Sequence, residues 1–246
     1  MSGPEQLPSA HELGVSAVVH IEHTTSTMDE VHARARDGEP AGLLVVADRQ
    51  TAGRGRGGNS WSSDQHSGLW MTLLERPSDA SMLRVLSLRL GLVIAAAVQQ
   101  FTDDRVMVKW PNDLCTRAGK LGGILVEARW RERTVDWVAI GVGINLSVPE
   151  SMGTATSLRP GTTRAELLKA MLLPIRRAVV GGAMLDEPEL ASWRSRDFAA
   201  GRRIVAPVEG SVQGISPDGA LLVREPGADA DTAIHAGSLR FAALPD

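Results

Sequence analysis

The strongest chemical signal in the chain is Gln50-Thr51-Ala52-Gly53-Arg54-Gly55-Arg56-Gly57-Gly58-Asn59-Ser60-Trp61. Its glycines leave the backbone free to adopt positive φ and let a ligand approach the amides closely. Successive N–H groups in such a run form an anion-binding concavity, and Arg54 and Arg56 add charge-assisted hydrogen bonds. The pattern predicts a loop that closes over a phosphate- or carboxylate-bearing ligand, with Trp61 as an apolar stop at its far end. A mobile surface loop or an RNA-binding Gly-Arg tract is the competing reading. No Gly-Lys-Ser/Thr ends the run, and its spacing is not that of a dinucleotide fingerprint.

A second group of candidates lies further on. Residues 106–110 read as a strand that stops against Pro111, and Asn112-Asp113 makes the turn. Gathering Lys109, Asn112 and Asp113 at the end of a buried strand is costly unless something charged sits there. Lys120 leads through Gly122-Gly123 into a strand to residue 127. The return strand, 135–140, runs into Gly141-Val142-Gly143-Ile144-Asn145. Glycines inside a strand pattern indicate close backbone approach or a bulge. These segments predict one site built by a sheet, with Lys109 and Lys120 beside the Asn-Asp turn. The alternatives are a structural Lys109–Asp113 ion pair and core roles for Trp61 and Trp110. Glu127 reads as a face residue in solvent, and residues 129–133 as a solvated hairpin.

No Ser-His-Asp or Cys-His pairing is legible, so an enzyme-borne nucleophile has little support. Attack by a substrate carboxylate on the α-phosphate of ATP fits better. That reaction asks for positioning and charge stabilisation, which lysines, arginines, amides and a magnesium ion supply.

The elements that must hold these residues follow from the patterning. Residues 15–22 read as a strand. Thr27-x-x-Glu30 reads as a capping box opening a helix to Arg36, which puts Ser26 and Thr27 at a strand-to-helix junction. Capping alone accounts for one of the two hydroxyls. Residues 43–47 form a short apolar strand that delivers the Gly-Arg loop, and 69–74 form another. A long helix runs from Ser81 to about Phe101. A polar loop containing 154–158 precedes helices at 164–180 and 188–198. From Gly201 the chain changes to short strands at 203–208, 211–215, 220–224 and 232–235, with a Pro217-Asp218-Gly219 turn. The expected organisation is a flexible segment over 1–13, a catalytic unit over 14–200 and a small β unit over 201–246.

Composition narrows the possible functions. With 43% hydrophobic and 22% charged residues among 246, the chain has material for an ordinary core. A net charge of -3 argues against a general nucleic-acid binder. The lone Cys115 excludes an internal disulfide, suits a reducing compartment and reads as a small buried residue. The six histidines show no zinc-ligand spacing. The start of the chain is not a signal peptide. The longest apolar stretch, 88–98, is interrupted by Arg89 and too short to span a bilayer. A cytoplasmic protein without membrane attachment is expected, and no pattern specifies an oligomeric state.

Taken together, S-T opening a helix, Q-x-A-G-R-G-R, K-W-P-N-D, K-L-G-G-I-L-V-E, G-V-G-I-N and the terminal β unit resemble biotin protein ligase over residues 15–241. The resemblance implies an α+β fold: a mixed sheet with helices packed on one side, related to lipoate ligases, followed by an SH3-like barrel. It implies formation of biotinyl-5′-AMP from biotin and Mg-ATP, then transfer of biotin to one lysine of a biotin carboxyl carrier domain. Ser26, Thr27 and Gln50 would hold the ureido head, and Arg54, Gly55 and Arg56 would belong to the loop that orders over the adenylate. Lys120 would contact the biotin carboxylate, with Gly123 and Gly141 giving backbone contacts. Asn112 and Asp113 would lie by the phosphates and metal, with Lys109 assisting. Trp61, Leu125, Asn145 and Ala155 would border the adenine.

Two departures from the family pattern stand out: Asn59 where a third loop arginine is usual, and Met28 where Asn commonly follows Ser-Thr. Only about a dozen residues precede the first strand, whereas a winged helix needs roughly 60. A monofunctional ligase without operator binding is therefore expected. A lipoate ligase or octanoyltransferase, or a ligand-binding protein without catalysis, would share the fold.

Overall fold

The computed structural model describes residues 6–61, 63, 67–149 and 153–242. In chain order the elements are α1 (Ala10–Leu13), β1 (Ala17–Thr24), α2 (Thr27–Arg36), β2 (Leu43–Gln50), β3 (Gly68–Glu75), α3 (Leu83–Val98), β4 (Met107–Lys109), β5 (Asp113–Thr116), β6 (Gly119–Arg131) and β7 (Thr134–Asn145). They continue with α4 (Arg164–Val179), α5 (Glu187–Arg196), β8 (Arg203–Ala206), β9 (Gly210–Ile215), β10 (Leu221–Arg224), β11 (Asp231–Ile234) and β12 (Arg240–Phe241). The first seven strands form one sheet in the order β1-β2-β3-β7-β6-β5-β4, and the last five form a second in the order β11-β10-β9-β8-β12. Only β1 and β2 pair in parallel within the larger sheet, so it is mixed.

The period-2 alternation of the central strands divides the core. Leu44, Val46, Met71, Leu73, Ile140 and Val142 face α3 and α4. Leu43, Val45, Leu74 and Ala139 face Met28, Val31 and Ala35 of α2. Helices therefore cover both faces rather than one. The reason lies in β2, whose run Leu43 to Ala47 is apolar at every position and almost fully buried, so each face needs a cover.

α3 and the turn to Phe101 are long and apolar enough to cross a membrane by composition, with mean hydropathy 1.4. Their apolar surface is instead taken up by the protein core, with Val85, Leu86, Leu90, Ile94 and Val98 fully buried. Arg89 within α3 is itself buried and paired with Glu189 of α5. α3 begins at Leu83, not Ser81. Ser81 is occupied by Asp79, whose carboxylate accepts from the Ser81 N–H at 2.8 Å.

Three further readings change at the ends of the chain. Within the segment expected to be flexible, Ser9 and Glu12 form a capping box around α1, and Leu13 packs into the main core. The short β12 follows the four strands expected after Gly201. Ile204, Val212, Leu221 and Val223 of the second sheet share one core with α3, and a Cβ at Gly219 would stand 2.9 Å from Leu88 Cδ1. The small β unit, expected as a separate appendage over 201–246, thus shares its core with the larger one.

Candidate active site

The Gly-Arg run leaves β2 and folds back on itself. Arg54 and Ser60 form an antiparallel bridge, the Gly55 N–H donates to Asn59 O at 2.8 Å, and the Trp61 N–H donates to Gly53 O at 2.8 Å. The Asn59 side chain donates to Arg56 O at 2.9 Å, so the residue standing where an arginine is usual closes the loop internally. Gly57 and Gly58 have φ of 65° and 79°, the left-handed region that favours glycine. At Gly53 the constraint is space, because a Cβ would lie 2.6 Å from Trp61 O.

Beyond the loop, the Trp61 indole lies on the backbone of the central strands. A Cβ at Gly143 would meet Trp61 Cε2 at 3.0 Å, and one at Gly123 would meet Cζ3 at 3.0 Å. The strand glycines are therefore the surface on which this ring rests. Trp70 meets it edge-on with centroids 6.2 Å apart. Trp61 Nε1 is buried without a hydrogen-bond partner among the described residues. An indole N–H in that state favours any ligand that supplies an acceptor.

Lys120 Nζ stands 4.9 Å from the Trp61 ring centroid and 2.7 Å from Asp113 Oδ1. Lys109 Nζ approaches the other carboxylate oxygen of Asp113 at 3.8 Å and the Phe241 ring at 5.7 Å. Two cations thus flank one acid where β4 and β5 meet β6. The ion pair considered for Lys109 forms, and Asp113 shares it with Lys120. Lys120 is fixed by its backbone: its N–H donates to Thr154 O, and its carbonyl accepts from the Thr156 N–H and from Asn145 Nδ2 at 3.2 Å.

That stitching also places Asn145 and Ala155. Asn145 donates to Lys120 O and Thr156 O, Ala155 bridges Lys120, and neither lines the central cavity. Asn112 lines it, but its side-chain amide donates to Ile124 O at 2.7 Å and its backbone carbonyl accepts from the Ile124 N–H at 3.0 Å. Its side-chain donor is thereby used in joining the β4–β5 turn to β6.

At the other end, β1 passes into α2. The helix cap is Ser26, whose hydroxyl accepts from the Met28 N–H at 3.3 Å; Thr27 is already helical, and Glu30 bonds Thr24 instead of completing a capping box. This shift by one residue frees Thr27. Its hydroxyl lies 2.8 Å from Thr72 Oγ1 and donates to Gln50 Oε1 at 3.1 Å, which also accepts from the Thr27 N–H at 2.8 Å. Gln50 Nε2 donates to Ser63 Oγ at 2.8 Å. Both hydroxyls of the Ser-Thr pair thus have duties, and only one caps.

These two ends border one cavity of about 160 Å³, lined by Ser26, Thr27, Gln50, Arg54, Gly55 and Arg56, and by Trp61, Lys109, Asn112, Asp113, Lys120, Gly123, Leu125 and Gly141. Met28 also lines it, with its methyl 2.9 Å from where a Gly141 Cβ would be. Sequence reasoning missed Thr72, although a polar residue in the apolar run Leu69 to Leu74 was a usable signal. It also missed Ser238 and Leu239 of the β11–β12 connection, which no local pattern marks. Arg56 reaches the same segment, donating to Gly237 O at 3.4 Å. Trp110 lines the cavity while its indole N–H donates to Gly219 O at 3.1 Å. Cys115 is buried, and burial together with the Asp113 charge pushes its thiol up to about 11, so it is no nucleophile.

No group of three His, Cys, Asp or Glu side chains gathers to hold a metal among the described residues. Asp113 is the one acid among the described cavity residues, and it is already flanked by two lysines. The donor set therefore fits magnesium that arrives on nucleotide phosphates, not a resident ion.

Comparison with known proteins gives a consistent pattern. Residues 20–145 match the model of the "Biotin/lipoate A/B protein ligase family". The chain is 37% identical over 137 residues to the bifunctional ligase/repressor BirA of Bacillus spizizenii, covering 53% of this chain and 40% of that protein. It is 30% identical over 216 residues to the biotin–[acetyl-CoA-carboxylase] ligase of Paracoccus denitrificans, covering 74% and 84%. In structure it is similar to the Aquifex aeolicus biotin protein ligase in complex with biotin and ATP. There the TM-score is 0.77 at 26% identity, over 92% of this chain and 100% of that one.

Proposed function

The chain belongs to the biotin/lipoate A/B protein ligase family, and from that premise we propose that it activates biotin with ATP and transfers it to protein. The supporting observation is the single cavity in which Thr27 and Gln50 stand at one end, Lys120 and Asp113 at the other, and the Gly-Arg loop beside both. A ureido group needs paired donors and acceptors, and the Thr27–Gln50–Thr72 cluster offers them. The dithiolane of lipoate carries no N–H donor and only weak sulfur acceptors, so it has little to exchange with that cluster.

In the first step the biotin carboxylate attacks the α-phosphorus of ATP, forming the acyl–phosphate bond as pyrophosphate leaves. Lys120 draws the carboxylate and the developing charge together, Arg56 and the loop amides receive phosphate oxygens, and Lys109 adds charge from β4. Magnesium, when it accompanies ATP, neutralises phosphate charge. Trp61 gives the adenine a face and Leu125 an edge. In the second step the unprotonated ε-amine of an acceptor lysine attacks the acyl carbon, and AMP departs. The acceptor is a biotin carboxyl carrier domain of an acyl-CoA or related carboxylase, in the cytoplasm.

Biotin-dependent exchange of labelled pyrophosphate into ATP tests this reading, with lipoate and octanoate in parallel and a carrier domain added afterwards. Exchange with biotin followed by labelling of the carrier is expected. Exchange with lipoate alone would move the substrate to the sister branch of the family, and exchange with no acid would refute the enzyme.

A further inference from the structure

Glu127, read from the sequence as a face residue in solvent, is partly buried and heavily engaged. Its Oε2 lies 2.8 Å from His32 Nε2, and its Oε1 lies 3.8 Å from Arg54 Nη2. His32 sits in α2 and is only 3% exposed, inside the apolar cluster beneath that helix. Its Nδ1 accepts from the Trp137 indole N–H at 2.9 Å, which leaves the ring proton on Nε2, directed at Glu127. Burial, opposed by the Glu127 hydrogen bond, lowers the pKa of His32, in keeping with a neutral ring. Trp137 is held in turn by the Arg76 guanidinium, 5.6 Å from its ring.

Arg54 is gripped from the other side by Asp29, at 2.7 Å and also in α2. This arginine forms the neck of the Gly-Arg loop through its bridge to Ser60. An exposed ion pair alone contributes little. Here, however, one carboxylate has an oxygen fixed by a buried imidazole that is itself fixed by a buried indole. Burying that imidazole is costly unless both nitrogens are satisfied, and the two partners satisfy them. The chain Trp137–His32–Glu127 leads from the core to the loop neck, and the other cation near the Glu127 carboxylate is Arg129 of the same strand, 3.8 Å from Oε2.

We propose that Glu127, oriented by His32 and Trp137, is a positioning residue that with Asp29 anchors Arg54 and so fixes the neck of the Gly-Arg loop before any ligand arrives. This inference deepens the ligase reading by assigning part of the loop's preorganisation, and the ligand-free arm of its test does not depend on that reading.

That arm is limited trypsin digestion of the ligand-free full chain, following cleavage after Arg56 by mass spectrometry. Glu127→Gln keeps an acceptor for His32 but removes the charge facing Arg54. It should speed cleavage after Arg56 at least threefold, with cleavage after Arg176 and Arg196 unchanged. Trp137→Phe, which removes the indole donor together with part of the buried ring, should act in the same direction. In an Arg54→Gln background Glu127→Gln should add nothing. Unchanged cleavage in Glu127→Gln, an additive increase in the Arg54→Gln background, or equal acceleration at every site would each overturn the proposal. The second arm measures pyrophosphate exchange: Glu127→Gln should raise KM for ATP three- to tenfold with kcat within twofold, because ordering the neck is now charged to binding. A loss confined to kcat would also overturn it, whereas a wild-type chain inactive with biotin would defeat the ligase reading and leave the digestion result standing.

Discussion

Replacing Lys120 with methionine separates a chemical role from a structural one. The backbone of Lys120 is secured by three hydrogen bonds, from its own N–H and to its carbonyl, so the substitution alters the side chain alone. That side chain is 39% exposed and Asp113 18%, which places their 2.7 Å pair among those contributing about 0–1 kcal/mol to stability. Lys109 remains 3.8 Å from Asp113, so the acid is not left wholly unpaired. Methionine also keeps a chain over the Trp61 ring, losing only the cation. The expected fall in melting temperature is no more than about 4 °C for a protein of this size. The loss of a charge aimed at the reacting carboxylate and phosphate should be far larger, about 100- to 1000-fold in kcat for biotin-dependent pyrophosphate exchange. The assay pairs exchange kinetics with calorimetry on the same preparations. Lys109→Met serves as the comparison, with a smaller loss expected because Lys109 holds Asp113 more loosely, at 3.8 Å against 2.7 Å for Lys120. A Lys120→Met enzyme within tenfold of wild type, or one that melts 10 °C lower, would refute the reasoning.

Other perturbations probe the rest of the site. Thr72→Val removes the hydroxyl 2.8 Å from Thr27 and leaves Thr27 bonded to Gln50 alone; it should raise KM for biotin about tenfold, and an unchanged KM would exclude the cluster from recognition. At Gly122 a Cβ would stand 2.6 Å from Gly143 O on the paired strand, so Gly122→Ala should destabilise by about 1–3 kcal/mol in urea titration. An unshifted midpoint would show that β6 and β7 separate easily there. Burial raises the Asp197 pKa above its ordinary value. Its contribution is therefore fully present below the unfolded pKa of about 3.9 and lost as pH rises through the folded value. Asp197→Asn, which retains an acceptor for the Ala199 N–H, should raise the melting temperature at pH 7 and leave it unchanged near pH 3. Equal effects at both pH values would contradict the burial argument.

Much of the site was legible because its chemistry is local in sequence. Gly53 to Gly58, Lys109 to Asp113 and Lys120 to Gly123 each concentrate residues that are costly in a strand or at its end unless a ligand answers them. The two hydroxyls at the start of α2 were marked as more than caps, although the cap itself falls on Ser26 and not on Thr27. Asn145 and Ala155 occupy the expected region but serve to pin Lys120, a distinction that side-chain type cannot express.

Sequence alone determined most strands and most helices, the change of character at Gly201, and which loop carries anion-binding chemistry. These follow from apolar period, turn chemistry and the conformational range of glycine, all properties of short segments. Tertiary structure decided which distant residues complete those segments. Thr72 meets Thr27 across the sheet, Gly237 to Leu239 of the β11–β12 connection reach the Gly-Arg loop, and His32 meets Glu127 across 95 positions of chain. Such pairings depend on strand order and on how the two sheets share a core. A one-dimensional pattern carries no term for either, because the free energy that selects them is that of burying surfaces far apart in the sequence.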